Sequence, residues 1–125
     1  MLSEKEKEKS KAYLTGNIFH HSHIAESPEE TFSKLLQHQN CQIEQIVSSG
    51  HSTPPDQPYQ QDFDEWIMIV QGEASLTIET EQFDLKKGDY LFIPANDRHW
   101  VTKTSHNPKC IWLAVLLKPS SPEHQ

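Results

Sequence analysis

The sequence predicts an all-β domain, a sandwich or barrel of short strands. From Cys41 onward the apolar residues either alternate with polar ones or cluster in short runs rich in β-branched and aromatic side chains. Turn signals bound these runs at regular spacing: Gly50, Gly72, Lys87-Gly88-Asp89, Pro94 and Asn107-Pro108. The chain has 125 residues, which is the length of one domain, and it shows no internal repeat.

Residues 1–12 form a charged tail in which Glu and Lys alternate, a pattern that suits solvated chain. A short α-helix is expected next. Ser27 suits the N-cap, Pro28 the first helical position and Glu30 the capping box, and Phe32, Leu35 and Leu36 recur at helical spacing until Gln39-Asn40. The period then becomes strand-like. Cys41 to Ser49 ends at Gly50, and a proline-rich loop runs from Ser52 to Tyr59. Glu65 to Gln71 is a strand that stops at Gly72, and Ala74, Leu76 and Ile78 alternate as a half-buried strand requires. Phe83 and Leu85 belong to the next strand. Tyr90 to Ile93 closes on Pro94, His99 to Thr102 follows the turn Ala95 to Arg98, and Cys110 to Leu117 is an apolar final strand. The domain is thus expected over 13–118, with a polar tail over 119–125.

Composition narrows the partners. Eleven basic residues against 18 acidic ones give a net charge of -7. Phosphate backbones and anionic membrane surfaces repel such a chain, so nucleic acid and membrane are not expected as partners. No apolar run is long enough for a transmembrane helix, and the N-terminus lacks the apolar core of a signal peptide, so a cytoplasmic location is expected. Cys41 and Cys110 both sit in apolar runs and read as buried thiols.

Two patterns concentrate the chemistry. Glu65 is followed after six residues by Gly72; Gly88 is followed after five by Pro94, with Asn96 and then His99 beyond it. Glu65 shares a strand face with Ile67 and Ile69, and His99 shares one with Val101. If both faces point inward, a carboxylate and an imidazole meet inside the barrel, where charged groups are rare unless paired or metal-bound.

These spacings resemble the two half-motifs of the cupin family, and the resemblance covers roughly residues 41 to 117. It implies a small double-stranded β-helix, the cupin jelly-roll barrel. In that family three histidines and a glutamate usually hold a metal, two of the histidines forming a His-x-His pair. That half of the first motif is missing here. Depending on the spacing chosen, Tyr59 and Gln61, or Pro58 and Gln60, stand in its place. Tyr59-Gln-Gln-Asp-Phe-Asp-Glu-Trp66 is similar to the stretch found in a subset of small cupins. Only Glu65 and His99 carry over as ligands, with Gln61 as a weak oxygen donor, so the resemblance leaves room for a partial site for Fe, Zn, Ni or Mn.

The expected function is a cupin-domain protein that binds a small molecule between Tyr59, Gln61, Glu65 and His99. The alternative is a metal-dependent enzyme, an isomerase, epimerase or dioxygenase acting on a small polar metabolite, with His99 and Glu65 as catalytic residues. A homodimer is expected in either case, with Cys110 to Leu117 helping to form the interface. His20, His21 and His23 cluster before the helix and read as exposed. Arg98, beside His99, reads as a surface residue, and Asp62, Asp64, Asp89 and Asp97 read as turn caps.

Overall fold

A computed structural model of the chain describes residues 13–20 and 30–119. Eight strands follow one another: β1 (Thr31–His38), β2 (Cys41–Ser48), β3 (Asp64–Gln71), β4 (Glu73–Ile78), β5 (Glu81–Lys86), β6 (Tyr90–Ile93), β7 (His99–Thr104) and β8 (Cys110–Leu117). They form two antiparallel sheets, one of five strands in the order β1-β2-β8-β3-β6 and one of three in the order β5-β4-β7. The all-β expectation holds, with strand positions close to those read from the alternation.

The apolar run at the end of the chain explains itself by position. β8 lies between β2 and β3 and pairs with both along nearly its whole length. Cys110, Trp112, Ala114 and Leu116 point into the core, where they meet Ile67 and Ile69 of β3, Ala74 and Leu76 of β4, Leu85 and Ile93. The other face of the five-stranded sheet is also apolar but stays partly exposed. Trp66 and Tyr90 pack there as a tilted pair with centroids 5.6 Å apart, and Phe92 and Leu117 lie nearby in the pairing. Cys41 and Cys110 are free thiols at opposite ends of the β2–β8 ladder. Burial pushes the Cys110 thiol up to about 12, so it stays protonated and inert.

The expected helix is corrected. No helix occurs among the described residues, and Thr31–His38 is β1, antiparallel to β2. Ser27 and Pro28 lie outside the described residues. The misleading period has a structural cause: a β-bulge inserts Leu35 between Lys34, which faces Glu44, and Leu36, which faces Ile43. Phe32, Leu35 and Leu36 thereby acquire helix-like spacing within a strand. A ladder along the whole of β2 outweighs a cap worth about 1 kcal/mol. The segment ends in the turn Gln39-Asn40, with Gln39 at φ 52°. Glu30, expected in a capping box, instead accepts a 2.5 Å hydrogen bond from Ser48 Oγ. The tail at 1–12 and all but Pro119 of the tail at 119–125 fall outside the described residues.

Gly72 and Gly88 both adopt positive φ, 83° and 91°, but in different surroundings. A Cβ on Gly88 would meet open space, whereas one on Gly72 would collide with Ser105 Oγ and come within 2.9 Å of the Lys109 carbonyl. Gly88→Ala is therefore expected to cost about 1–2 kcal/mol, from backbone strain alone. Gly72→Ala is expected to cost about 3–5 kcal/mol, because overpacking is added to the strain. Urea unfolding of the two variants checks the order; equal losses would show that the crowding at Gly72 relaxes freely.

Candidate functional site

Alternation along β3 places Glu65, Ile67 and Ile69 on the inner face, and Ile67 and Ile69 are fully buried there. His99 opens β7 in the opposite sheet and is itself buried. The two side chains meet across the barrel, with His99 Nε2 3.9 Å from Glu65 Oε1. That separation is too long for a hydrogen bond. His99 Nδ1 lies 3.3 Å from the Asp97 carbonyl, which can only accept, so Nδ1 carries the proton and Nε2 presents its lone pair to the cavity.

Electrostatics set the protonation of the pair. Burial, and then the charge of Glu44, push the Glu65 carboxyl up to about 7. Burial also holds His99 below its ordinary value and so favours the neutral ring. Tyr59 is raised, first by burial and then by Glu30 and Glu65, which keeps its phenol protonated.

The loop before β3 supplies the third wall. Tyr59 and His99 exchange backbone hydrogen bonds of 2.9 and 3.0 Å as an isolated bridge, and their rings stack at 5.5 Å. Further back, Thr53 N donates to the Val101 carbonyl, Val101 N to Thr53 Oγ1, and Trp100 Nε1 to the Pro55 carbonyl. The loop is thus laced along β7. Gln61 is held through its carbonyl, which accepts from Asn96 N at 2.6 Å. Tyr59 and Gln61 line the cavity; Pro58 and Gln60 do not, and the Gln60 amide bonds outward to the Asn96 carbonyl. Of the two spacings left open by the sequence, the first brings both its residues to the cavity.

Tyr59, Gln61, Glu65 and His99 therefore surround one cavity of about 320 Å³, within the range of small-molecule sites. Its body is apolar, formed by Ile46, Ile67, Leu76, Ile93, Val101, Trp112 and Leu116. Sequence reasoning missed Glu30, Phe32, Gln42 and Glu44, which also line it. Glu30 and Phe32 were hidden by the helix expectation. Glu44 sits one residue from Ile43 and two from Ile46; only the β2–β8 register shows that it shares the inner face of Ile46.

Other singled-out residues lie apart. Arg98 is exposed and salt-bridged to Glu79 at 2.9 Å, as expected of a surface residue. Asp64 and Asp89 cap turns by accepting from Ala95 N and Lys86 N. His20 is exposed in a turn, and His21 and His23 lie outside the described residues. His51, which stands just before the proline-rich loop and carries no motif of its own, accepts from Ser49 N and borders a neighbouring cleft that Tyr59 and Glu30 also border.

Two antiparallel sheets around an apolar cavity, with a buried Glu–His pair on its wall, define a small barrel of the jelly-roll class. Within that class the chain belongs to the cupin family: the cupin-domain model matches residues 43–116. A structure from Ralstonia eutropha JMP134, named as a "putative mannose-6-phosphate isomerase", is similar at 36% identity over 84% of this chain and 98% of its own, with a TM-score of 0.78. A cupin superfamily protein from Desulfitobacterium hafniense DCB-2 is similar at 24% identity over 76% of this chain and 83% of its own, with a TM-score of 0.65. The TT1209 protein from Thermus thermophilus shares the fold at 14% identity, over 85% and 98% of the two chains, with a TM-score of 0.68. No curated protein matches the chain.

Cupins often bind a metal, and the donor set here does not fit one. Gln61, Glu65 and His99 reach the same cavity, but only the last two are strong ligands. Among the described residues no group of three or more His, Cys, Asp or Glu is placed to hold an ion.

The buried pair gives stability a particular pH dependence. The native Glu65 carboxyl titrates near 7 against an ordinary 4.5, so the native state holds a proton that the unfolded chain has lost. Stability is expected to fall as pH rises from about 4.5 to about 7, by an upper bound of roughly 3 kcal/mol. His99 acts in the opposite sense, since its depressed value removes stability as pH falls below 6.5. Glu65→Gln is expected to abolish the first loss, keep the second, and stabilise the protein at pH 8. Thermal unfolding across pH 4 to 9 checks this; a wild-type curve unchanged by the substitution would contradict it.

Proposed function

We propose that the barrel binds a small polar molecule without a metal, held between Tyr59, Gln61, Glu65 and His99. The observation that carries the reading is the Glu65–His99 pair, buried at 3.9 Å on the wall of a cavity and lacking a direct hydrogen bond between its members. Both side chains face the cavity, so an occupant can bond at once to His99 Nε2 and to the Glu65 carboxyl. A metabolite panel screened by thermal shift in chelating buffer is expected to give a stabiliser of several degrees, with the shift lost in His99→Ala. A broad panel with no stabiliser would count against the reading.

One observation favours a second reading, an isomerase. The Ralstonia structure, 36% identical, carries that name as a putative assignment. Moving a proton between adjacent carbons needs a base, and neutral His99 Nε2 with the protonatable Glu65 beside it supplies a base and an acid. On this reading, interconversion of mannose 6-phosphate and fructose 6-phosphate falls about a hundredfold or more in both Glu65→Ala and His99→Ala. Activity that survives in both variants excludes it. Elemental analysis for iron, zinc, nickel and manganese, on protein purified without metal affinity, separates the metal-free from the metal-dependent form. The donor set leads us to expect well under stoichiometric metal in the wild type and no change in His99→Ala.

The proposal includes a homodimer. Trp66, Tyr90, Phe92 and Leu117 leave aromatic and aliphatic surface on the outer face of the five-stranded sheet, and light scattering is expected to give twice the chain mass.

A further inference from the structure

The charges around the cavity are one-sided. Glu30, before β1, Glu44 on β2 and Glu65 on β3 all line it, each from a different segment. The lysines and arginines contribute one lining residue, Lys118, whose Nζ lies 5.2 Å over the Phe63 ring. Lys34 faces Glu44 in the β1–β2 register but does not line the cavity. Among the described residues no lysine or arginine forms an ion pair with the three carboxylates.

Each of these carboxylates has capacity to spare. Glu30 Oε2 accepts from Ser48 and Glu44 Oε2 accepts from Gln42, both neutral donors. Among the described residues Glu65 has only the imidazole at 3.9 Å. His99 is buried, presents Nε2 to the same space, and is neutral there. Mutual repulsion shows in the groups themselves: Glu44 opposes ionisation of Glu65, and Glu30 and Glu65 oppose that of Tyr59.

The remaining walls suit a cation as well. Phe32, Tyr59, Phe63 and Trp112 bring four aromatic rings to the cavity, and ring faces attract ammonium groups. Low-dielectric walls lined by one sign of charge concentrate the field and draw in the opposite sign.

We propose that the cavity selects a small organic cation, an ammonium carried on an apolar or aromatic body, over neutral and anionic molecules of the same size. The ammonium sits between Glu44 and Glu65, Glu30 adds to the field from the Ser48 end of β2, and the body lies against Trp112, Ile46 and Phe32. This rests on the reading of the cavity as a ligand site. It narrows the ligand class and opposes a sugar phosphate, whose dianion would face the same three carboxylates with one lysine at hand.

Calorimetry on the full chain at pH 7.5 tests the selectivity with three probes of matched body: phenethylamine, 2-phenylethanol and 3-phenylpropanoate. Phenethylamine is expected to bind about tenfold or more tightly than the alcohol, and the carboxylate most weakly. Glu44→Gln, which keeps an acceptor for Gln42, is expected to reduce the preference for the amine over the alcohol severalfold. If the alcohol or the carboxylate binds as well as the amine, or mannose 6-phosphate binds more tightly, the cavity is a ligand site and the cation selectivity is wrong. If none of the probes and no member of the wider metabolite panel binds, both the selectivity and the ligand-site reading fail.

Discussion

The pairing of β8 with strands on both its sides sets the geometry on which the rest depends. Its register with β2 places Glu44 opposite Ala114, and its register with β3 places Glu65 opposite Leu116. The two carboxylates therefore stand diagonally across one strand, on the inner face. Ala114 is fully buried, and its small side chain leaves space between them where a larger residue would fill the barrel. A slip of one residue in either ladder would turn one of the carboxylates to the outer surface and close the cavity with aliphatic side chains.

The opposite sheet completes the site by a different device. β7 carries His99 into the barrel, but its far side has no strand partner, and the segment from Thr53 to Tyr59 takes that role with a few backbone bonds. The stacking of Tyr59 on His99 follows from that bridge, since residues directly opposite each other in an antiparallel pair share a face. The imidazole is thereby fixed from three directions: its own strand, the Tyr59 ring and the Asp97 carbonyl.

Much of this was legible in the sequence because strand alternation is local. Glu65 with Ile67 and Ile69, and His99 with Val101, could be assigned to a common interior from period alone, and Gly72, Gly88 and Pro94 marked the turns that bring them there. What was illegible depended on register. The bulge at Leu35 disguised β1 as a helix, and a capping-box reading of Glu30 followed from the same error. Glu44 carries no local mark of burial; only its position beside β8 makes it a cavity residue. The choice between Tyr59 and Gln61 or Pro58 and Gln60 likewise hung on one bridge, between Tyr59 and His99, which no local pattern encodes.

The lacing of the loop along β7 has a further consequence for how the protein behaves in concentrated solution. An unpaired strand offers a row of free amides and carbonyls to any passing chain and invites sheet-to-sheet growth. Here Thr53 and Tyr59 occupy those groups at Val101 and His99, so the segment that walls the cavity also blocks strand addition at that side of the small sheet. Shelter from aggregation and shape of the binding cavity are thus properties of the same few peptide groups, and selection on one constrains the other.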